Sequence, residues 1–201
     1  MKRLTHLFGF ALALFCATHT SAQEWRSYAA DGASTKYSSL SQLDASNVGN
    51  LQVAWRWTSP DETILEKDPD LKTFVNEATP LMVNGVLYTS TSMSQAAAID
   101  AATGKTIWTY DPKTYENGTP ANVGFVHRGV AHWEHGDDKR VLYATGDAYL
   151  IALNAKTGEP IQSFGQNGRV DLTKGLRREI DRSLYACSSP PVICRDIVVT
   201  G

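Results

Sequence analysis

Apolar and polar positions alternate over short stretches of this chain, and glycine-bearing turns separate the stretches. Residues 51–57 read Leu-Gln-Val-Ala-Trp-Arg-Trp, which puts Val53, Trp55 and Trp57 on one face and predicts a strand. Residues 79–90 predict a hairpin around Asn84-Gly85, a dipeptide that suits a two-residue turn with positive φ at both positions. Residues 96–100 and 105–110 predict a second hairpin. There Asp100 can accept hydrogen bonds from the turn amides, and Gly104 can take a positive φ. Residues 59–70 are polar, acidic and broken by two prolines, which predicts a loop. Residues 23–50 scatter Trp25, Tyr28, Tyr37 and Leu40 among Gly, Ser and Asp, as an irregular arm would. The charge run at 168–186, with Lys174, Arg177, Arg178, Glu179, Asp181 and Arg182, predicts a solvated excursion.

The pattern repeats. Ala98-Ile99-Asp100-Ala101-Ala102-Thr103-Gly104-Lys105-Thr106-Ile107-Trp108 returns 54 residues later as Ala152-Leu153-Asn154-Ala155-Lys156-Thr157-Gly158-Glu159-Pro160-Ile161. Val86-Leu87-Tyr88 returns as Val141-Leu142-Tyr143, and residues 191–199 overlay residues 80–88 without a gap. A period of this size, made of short strands and glycine turns, predicts an all-β propeller. The chain holds about two and a half blades, each a four-stranded antiparallel sheet, with residues 51–57 an outer strand of the blade that closes the ring. Blades bury their faces against each other, so this many leave one sheet face uncovered and predict a poorly stable piece. Trp108 ends the first unit and is placed to dock one blade on the next. The second copy has Gln162 or Phe164 near that place, so its junction is weaker or is held differently.

The repeat also brings chemistry together. In a propeller the first strand of each unit lines the central channel, so residues just before it gather at one end of the axis. Those residues are Asn76-Glu77-Ala78-Thr79, Val126-His127-Arg128-Gly129 and Ser188-Ser189-Pro190. A carboxylate, a guanidinium and hydroxyls then converge on one axial mouth. Arginine there suits bidentate binding of a carboxylate-bearing ligand. The plainer alternative is that Glu77 and Arg128 pair with each other at the rim. His132, Glu134 and His135 crowd one hairpin, and two His with a carboxylate can bind metal, but the loop at 134–139 reads as exposed. Asn117-Gly118-Thr119 fits a glycosylation sequon and, more simply, a turn.

Composition narrows the classes. Net charge is −2, and it becomes −4 once Lys2 and Arg3 leave with a leader, since residues 1–22 hold no acid. A mildly acidic chain without a basic stripe argues against nucleic acid. Residues 1–22 read as a secretory signal, with a charged end, an apolar run too short to span a bilayer and Thr20-Ser21-Ala22 before the cut. Residues 23–201 are then an exported, partial propeller domain, with no further segment apolar enough to cross a membrane. Phe15 before Cys16 does not suit a lipoprotein signal. Cys187 and Cys194 remain, and their setting predicts two separate, partly buried thiols.

Several stretches together resemble the pyrroloquinoline quinone (PQQ)-dependent dehydrogenases. They are Trp25-x-x-Tyr28-x-x-Asp31 with Tyr37-Ser38-x-Leu40, Asn47-Val48-x-x-Leu51-x-x-Ala54-Trp55, Glu77-Ala78-Thr79-Pro80, Arg128-Gly129 and Gly165-x-x-Gly168-x-Val170-Asp171-Leu172. The likeness runs from about residue 24 to the end and is closest to the glucose dehydrogenase-like, non-haem branch. It implies an eight-bladed propeller in the periplasm, with PQQ in the axial channel beside a Ca²⁺ or Mg²⁺ ion. It further implies oxidation of an alcohol or aldose sugar, with an Asp as general base and a quinone or cytochrome as electron acceptor. Under the resemblance Glu77 contacts the quinone, Arg128 binds a PQQ carboxylate, and Ser188 or Ser189 hydrogen-bonds the cofactor. The metal ligands and catalytic Asp of the family correspond to positions beyond Gly201. The adjacent cysteine pair of methanol-oxidising relatives is replaced here by Asn122-Val123-Gly124-Phe125, which argues against that branch. Two rival readings share the repeat: a non-catalytic scaffold propeller of the outer-membrane assembly type, and a sensor propeller.

Overall fold

The structure, a computed structural model, describes residues 24–121 and 123–201; the leader read over residues 1–22 lies outside them. Among the described residues the regular elements are one short α-helix, three 3-10 turns and twelve strands. The helix is α1 (Asp61–Lys67), and the strands begin with β1 (Thr73–Asn76), β2 (Leu81–Val83), β3 (Val86–Ser90), β4 (Ala96–Asp100) and β5 (Thr106–Tyr110). They continue with β6 (Phe125–His127), β7 (Ala131–His135), β8 (Asp138–Ala144), β9 (Tyr149–Asn154), β10 (Arg169–Asp171), β11 (Val192–Cys194) and β12 (Ile197–Val199).

Strands β2 to β5 form one four-stranded antiparallel sheet, and β7 to β10 form a second. Strands β11 and β12 are the first hairpin of a third unit. The repeat read from the sequence is therefore a series of propeller blades. The turns follow their residues: Asn84 and Gly85 have φ of 50° and 80°, and Asp100 accepts from Thr103 N at 2.8 Å and Thr103 Oγ1 at 2.7 Å.

One apolar core joins the two complete blades, running from Leu81, Tyr88 and Trp108 on the first to Val141, Tyr143, Ile151 and Leu153 on the second. Ala96, Ala97 and Ala98 of β4 have no exposed surface, because methyl-sized side chains let covering layers close on both faces of the strand. Trp108 docks as expected. Its ring lies so close over Gly158 that a Cβ there would stand 2.6 Å from Cδ2, and its Nε1 donates to the Ala155 carbonyl at 2.9 Å. Trp55 repeats this device one blade earlier, over Gly104 and with Nε1 on the Ala101 carbonyl at 3.1 Å. At the second junction Gln162 is exposed, and a different tryptophan takes part: Trp133 Nε1 donates to the Arg195 carbonyl in the β11–β12 turn at 3.0 Å.

Four expectations are corrected. Residues 51–57 are not a strand, since nothing among the described residues offers them a ladder; Trp55 and Trp57 tether an otherwise exposed segment. Within 59–70 lies α1, whose Asp61 and Glu62 at the first turn and Lys67 at the last complement the helix dipole. Asp61 is buried and accepts from Thr91 Oγ1 at 2.6 Å, Met93 N at 3.1 Å and Gln95 Nε2 at 2.8 Å, which fixes the helix on the first blade. The charged stretch after Gly168 is not wholly a solvated loop, because β10 completes the second blade on β9. Arg182 returns to that blade, donating to the Asp147 carbonyl at 2.7 Å and to Asp171 Oδ1 at 2.5 Å, with its guanidinium 4.6 Å from the Tyr149 ring centre. Burial pushes the Asp171 carboxyl up, but hydrogen bonds from Thr173 and Arg182 outweigh it and hold the group at about 2. Lastly, the cysteines are separate as expected, but Cys187 is buried and Cys194 exposed rather than both half-covered.

No helix among the described residues is long and apolar enough to cross a membrane. Val192, Ile197 and Val199 of the third unit stand exposed.

Candidate functional site

The peptides that lead into the inner strands are stitched to one another. Strand β1 pairs in parallel with β6, with Asn76 opposite His127. Beyond that pairing, Thr79 N donates to the Arg128 carbonyl at 3.1 Å, and Arg128 N donates to the Ser188 carbonyl at 2.9 Å. Three successive units thus share one run of backbone hydrogen bonds, and Arg128 is its middle link.

The side chains follow. Arg128 Nε lies 3.0 Å from Glu77 Oε2, and Arg128 Nη1 donates to Ser188 Oγ at 2.5 Å. Arg128 Nη2 takes no partner among the described residues. The structure brings Glu77, Arg128 and Ser188 into direct contact. Ser189 is exposed and lies on the wall of the adjoining cavity, without a hydrogen bond to those three. The rim pairing of Glu77 with Arg128 is real, and it leaves one amino group of the guanidinium available. The Arg128 and Glu77 side chains are 37% and 44% exposed, so their attraction alone is worth only about 0–1 kcal/mol. A rim pair this weak can yield to a ligand.

Arg128 borders a cavity of about 560 Å³, lined also by Asp31, Val130, His132, Ser189 and Ile193. The N-terminal arm forms one wall. Trp25 pairs with Met82 at the free edge of β2, and Arg26 bridges Glu24 at 3.1 Å and Glu134 at 2.7 Å. Only the start of the arm lies against the inner strands; Tyr28, Tyr37 and Leu40, which the sequence set there for packing, stand exposed.

Gly129 sets the direction of the chain after Arg128. Its φ is +132°, and a Cβ would stand 3.1 Å from the Thr79 carbonyl oxygen. Gly129→Ala should cost about 1–3 kcal/mol through backbone strain at this crowded position. Gly136, with φ of +58° and nothing within 4 Å of a Cβ, should cost less when changed to Ala. Urea unfolding of the two variants makes the comparison, and equal losses would show that the crowding at Gly129 is unimportant.

Sequence reasoning placed His127 in the axial segment but gave it no role. The ring has no exposed surface, and its burial lowers the pKa to about 4. A single histidine between Val126 and Arg128 gives no periodic sign of such a role. The His132, Glu134 and His135 cluster does not form a metal site: among the described residues no group of three or more His, Cys, Asp or Glu is placed to hold a metal. Glu134 pairs with Arg26, and His132 is half-buried 5.8 Å from the Tyr88 ring centre, with its pKa lowered by burial. Asn117 sits in a tight turn and donates to Asp147 Oδ2 at 3.0 Å.

Comparison with known proteins places this arrangement. Residues 25–201 match the family described as PQQ: glucose/ethanol/alcohol dehydrogenase, beta-propeller domain. A quinoprotein glucose dehydrogenase of Gluconobacter oxydans is 34% identical over 197 residues, 90% of this chain and 23% of that protein. A quinohemoprotein alcohol dehydrogenase of Pseudomonas putida, ADH IIB, is 41% identical over 148 residues, 73% of this chain and 19% of the relative. The crystal structure of quinohemoprotein alcohol dehydrogenase from Comamonas testosteroni superposes with a TM-score of 0.70 at 32% identity, covering 91% of this chain and 24% of that one. The chain thus spans about a quarter or less of the length of these relatives. With the family match over nearly all described residues, the chain belongs to the PQQ glucose/ethanol/alcohol dehydrogenase β-propeller family.

Proposed function

We propose that this chain supplies the first blades of a larger periplasmic PQQ-dependent dehydrogenase that oxidises an alcohol or aldose sugar and passes the electrons to a quinone or cytochrome. On this reading further blades cover the exposed face of the third unit, and the chain alone is inactive. The observation that carries the reading is Arg128, held at a junction of three units and lining a cavity. Relatives named for glucose and for alcohols support the reaction class and leave the substrate within it open.

The residues fit a polycarboxylate quinone. Bound PQQ supplies a two-electron acceptor, with a Ca²⁺ or Mg²⁺ ion polarising its carbonyl as a Lewis acid. Arg128 offers Nη2, together with the second N–H of Nη1 that Ser188 does not use, to a carboxylate as a charge-assisted fork. The Ser188 hydroxyl accepts from Arg128 and keeps its own proton to donate to the ligand. Glu77 holds the guanidinium from the opposite side and presents a negative edge toward the quinone, and Ser189 lines the approach. The cation's ligands belong to blades outside this chain.

Arg128→Lys keeps the charge and loses the fork. Loss of a charge-assisted hydrogen bond is worth about 1.5–3 kcal/mol, so PQQ affinity in the complete propeller should fall roughly 10- to 150-fold. Glu77→Gln should impair turnover more than folding. Titration of apoprotein with PQQ and Ca²⁺ or Mg²⁺, followed by dye reduction with glucose and with ethanol, reads both effects. Unchanged affinity in Arg128→Lys discards the clamp, and absence of PQQ binding by the unmodified protein returns the fold to a non-catalytic scaffold role.

A further inference from the structure

His127 immediately precedes Arg128 and makes three hydrogen bonds inside the core. Its Nε2 lies 2.6 Å from the Ala144 carbonyl oxygen, which can only accept, so Nε2 carries the ring proton. Nδ1 is therefore an acceptor. Its one lone pair is shared between the Ser90 hydroxyl at 2.7 Å and, as the longer arm, the Gly129 N–H at 3.2 Å. The three partners come from the end of β3 in the first blade, the end of β8 in the second, and the peptide just beyond Arg128. The Tyr143 ring meets the imidazole edge-on at 5.8 Å.

Filling this space requires none of these bonds; an apolar ring of similar size would do so. What the bonds accomplish is local. The Gly129 N–H bond to His127 and the Thr79 N bond to the Arg128 carbonyl hold the two ends of the peptide after Arg128, while the Ser188 carbonyl holds the Arg128 N–H before it. Ser90 and Ala144 tie that peptide to both complete blades.

We infer that His127 is a positioning residue for Arg128: through Nδ1 it fixes the backbone from which the guanidinium reaches Glu77, Ser188 and the adjoining cavity. The inference rests on the reading of Arg128 as the anchor of an anionic cofactor. Burial keeps the ring neutral, so Nδ1 remains an acceptor at ordinary pH.

Two amide variants divide the histidine's bonds. His127→Asn keeps an acceptor where Nδ1 stands and loses the reach to Ala144. His127→Gln keeps a donor where Nε2 stands and loses the acceptor. Both are made in the complete propeller protein that carries this segment, with thermal unfolding, PQQ binding in the presence of Ca²⁺, and amide exchange at Gly129 measured on each. A positioning role predicts a crossover. The Asn variant keeps PQQ affinity within about threefold of the unmodified protein despite a lower unfolding temperature. The Gln variant loses about tenfold in affinity, the worth of one hydrogen bond, and exchanges the Gly129 amide faster.

If affinity tracks thermal stability across both variants, His127 is structural only and the inference fails. Failure of the unmodified protein to bind PQQ overturns the functional reading instead. In that event Gly129 exchange, which needs no ligand, still decides whether His127 fixes the peptide.

Discussion

Trp108→Ala should lower the free energy of unfolding by about 3–5 kcal/mol in the complete propeller that carries this chain, the range for deleting a buried tryptophan. Trp108 is 8% exposed and fills the junction between the two complete blades. Burial of roughly 150–250 Å² at ~25 cal/mol/Å² gives an upper bound of about 4–6 kcal/mol. The ring is pinned at both ends, by Gly158 beneath it and by the Ala155 carbonyl on its Nε1. The neighbouring Tyr88 ring, centred 6.1 Å away, is itself held by its hydroxyl on the same Ala155 carbonyl. Trp108→Phe retains a ring over Gly158 and should lose about 1 kcal/mol for the hydrogen bond, plus the smaller ring's contacts. The Ala variant's urea midpoint should move down by that loss divided by the slope of the complete propeller's unfolding curve. Coincident curves for both variants and the unmodified propeller would mean that the junction is held by something other than this tryptophan.

The same junction shows what can be read from sequence. Strands β2 to β5 were legible because alternation, Asn84-Gly85 and the Asp100–Gly104 turn are local signals, and the second blade was legible because it repeats the first. The docking role of Trp108 was legible from its fixed place in the repeat. Trp55 performs the same task, but its segment has the alternation of a strand and no ladder partner among the described residues. Local pattern could not separate the two cases. Helix α1 was hidden for a different reason. It is one short element whose position depends on Asp61 accepting three hydrogen bonds from residues 30 or more positions away. Strand β10 lies inside a charge run that reads as solvated, and only the free edge of β9 makes a strand of it.

The candidate site divides in the same way. Convergence of Glu77, Arg128 and Ser188 followed from repeat geometry, because equivalent positions in successive blades must meet at the axis. The contact that the plainer expectation names, a Glu77–Arg128 pair, is present in the geometry. His127 had no signature, since its partners at Ser90 and Ala144 are 37 and 17 residues away. Its role appears only when those chain segments are folded together.

That buried ring also gives the chain a pH dependence of definite sign. His127 moves from 6.5, its ordinary value, to about 4, with burial as the main cause and the nearby Arg128 charge acting in the same direction. The unfolded chain therefore binds a proton between those values that the folded chain refuses. Stability from the neutral ring is fully present above pH 6.5 and declines as pH falls, until the folded form also protonates near 4. The whole shift corresponds to about 3 kcal/mol, of which about 2 kcal/mol is lost between pH 7.5 and pH 5. His132, shifted down by burial as well, adds to the slope in the same direction. Asp171 acts in a lower window, because a carboxyl at about 2 contributes above the ordinary carboxylate range and loses that contribution only as pH falls toward 2. Urea unfolding at several pH values between 7.5 and 5 should show this decline in the parent chain. His127→Gln should start lower at pH 7.5, where its acceptor is missing, and fall less steeply. Parallel curves for the two proteins would place the acid sensitivity elsewhere and remove the buried histidine from the account.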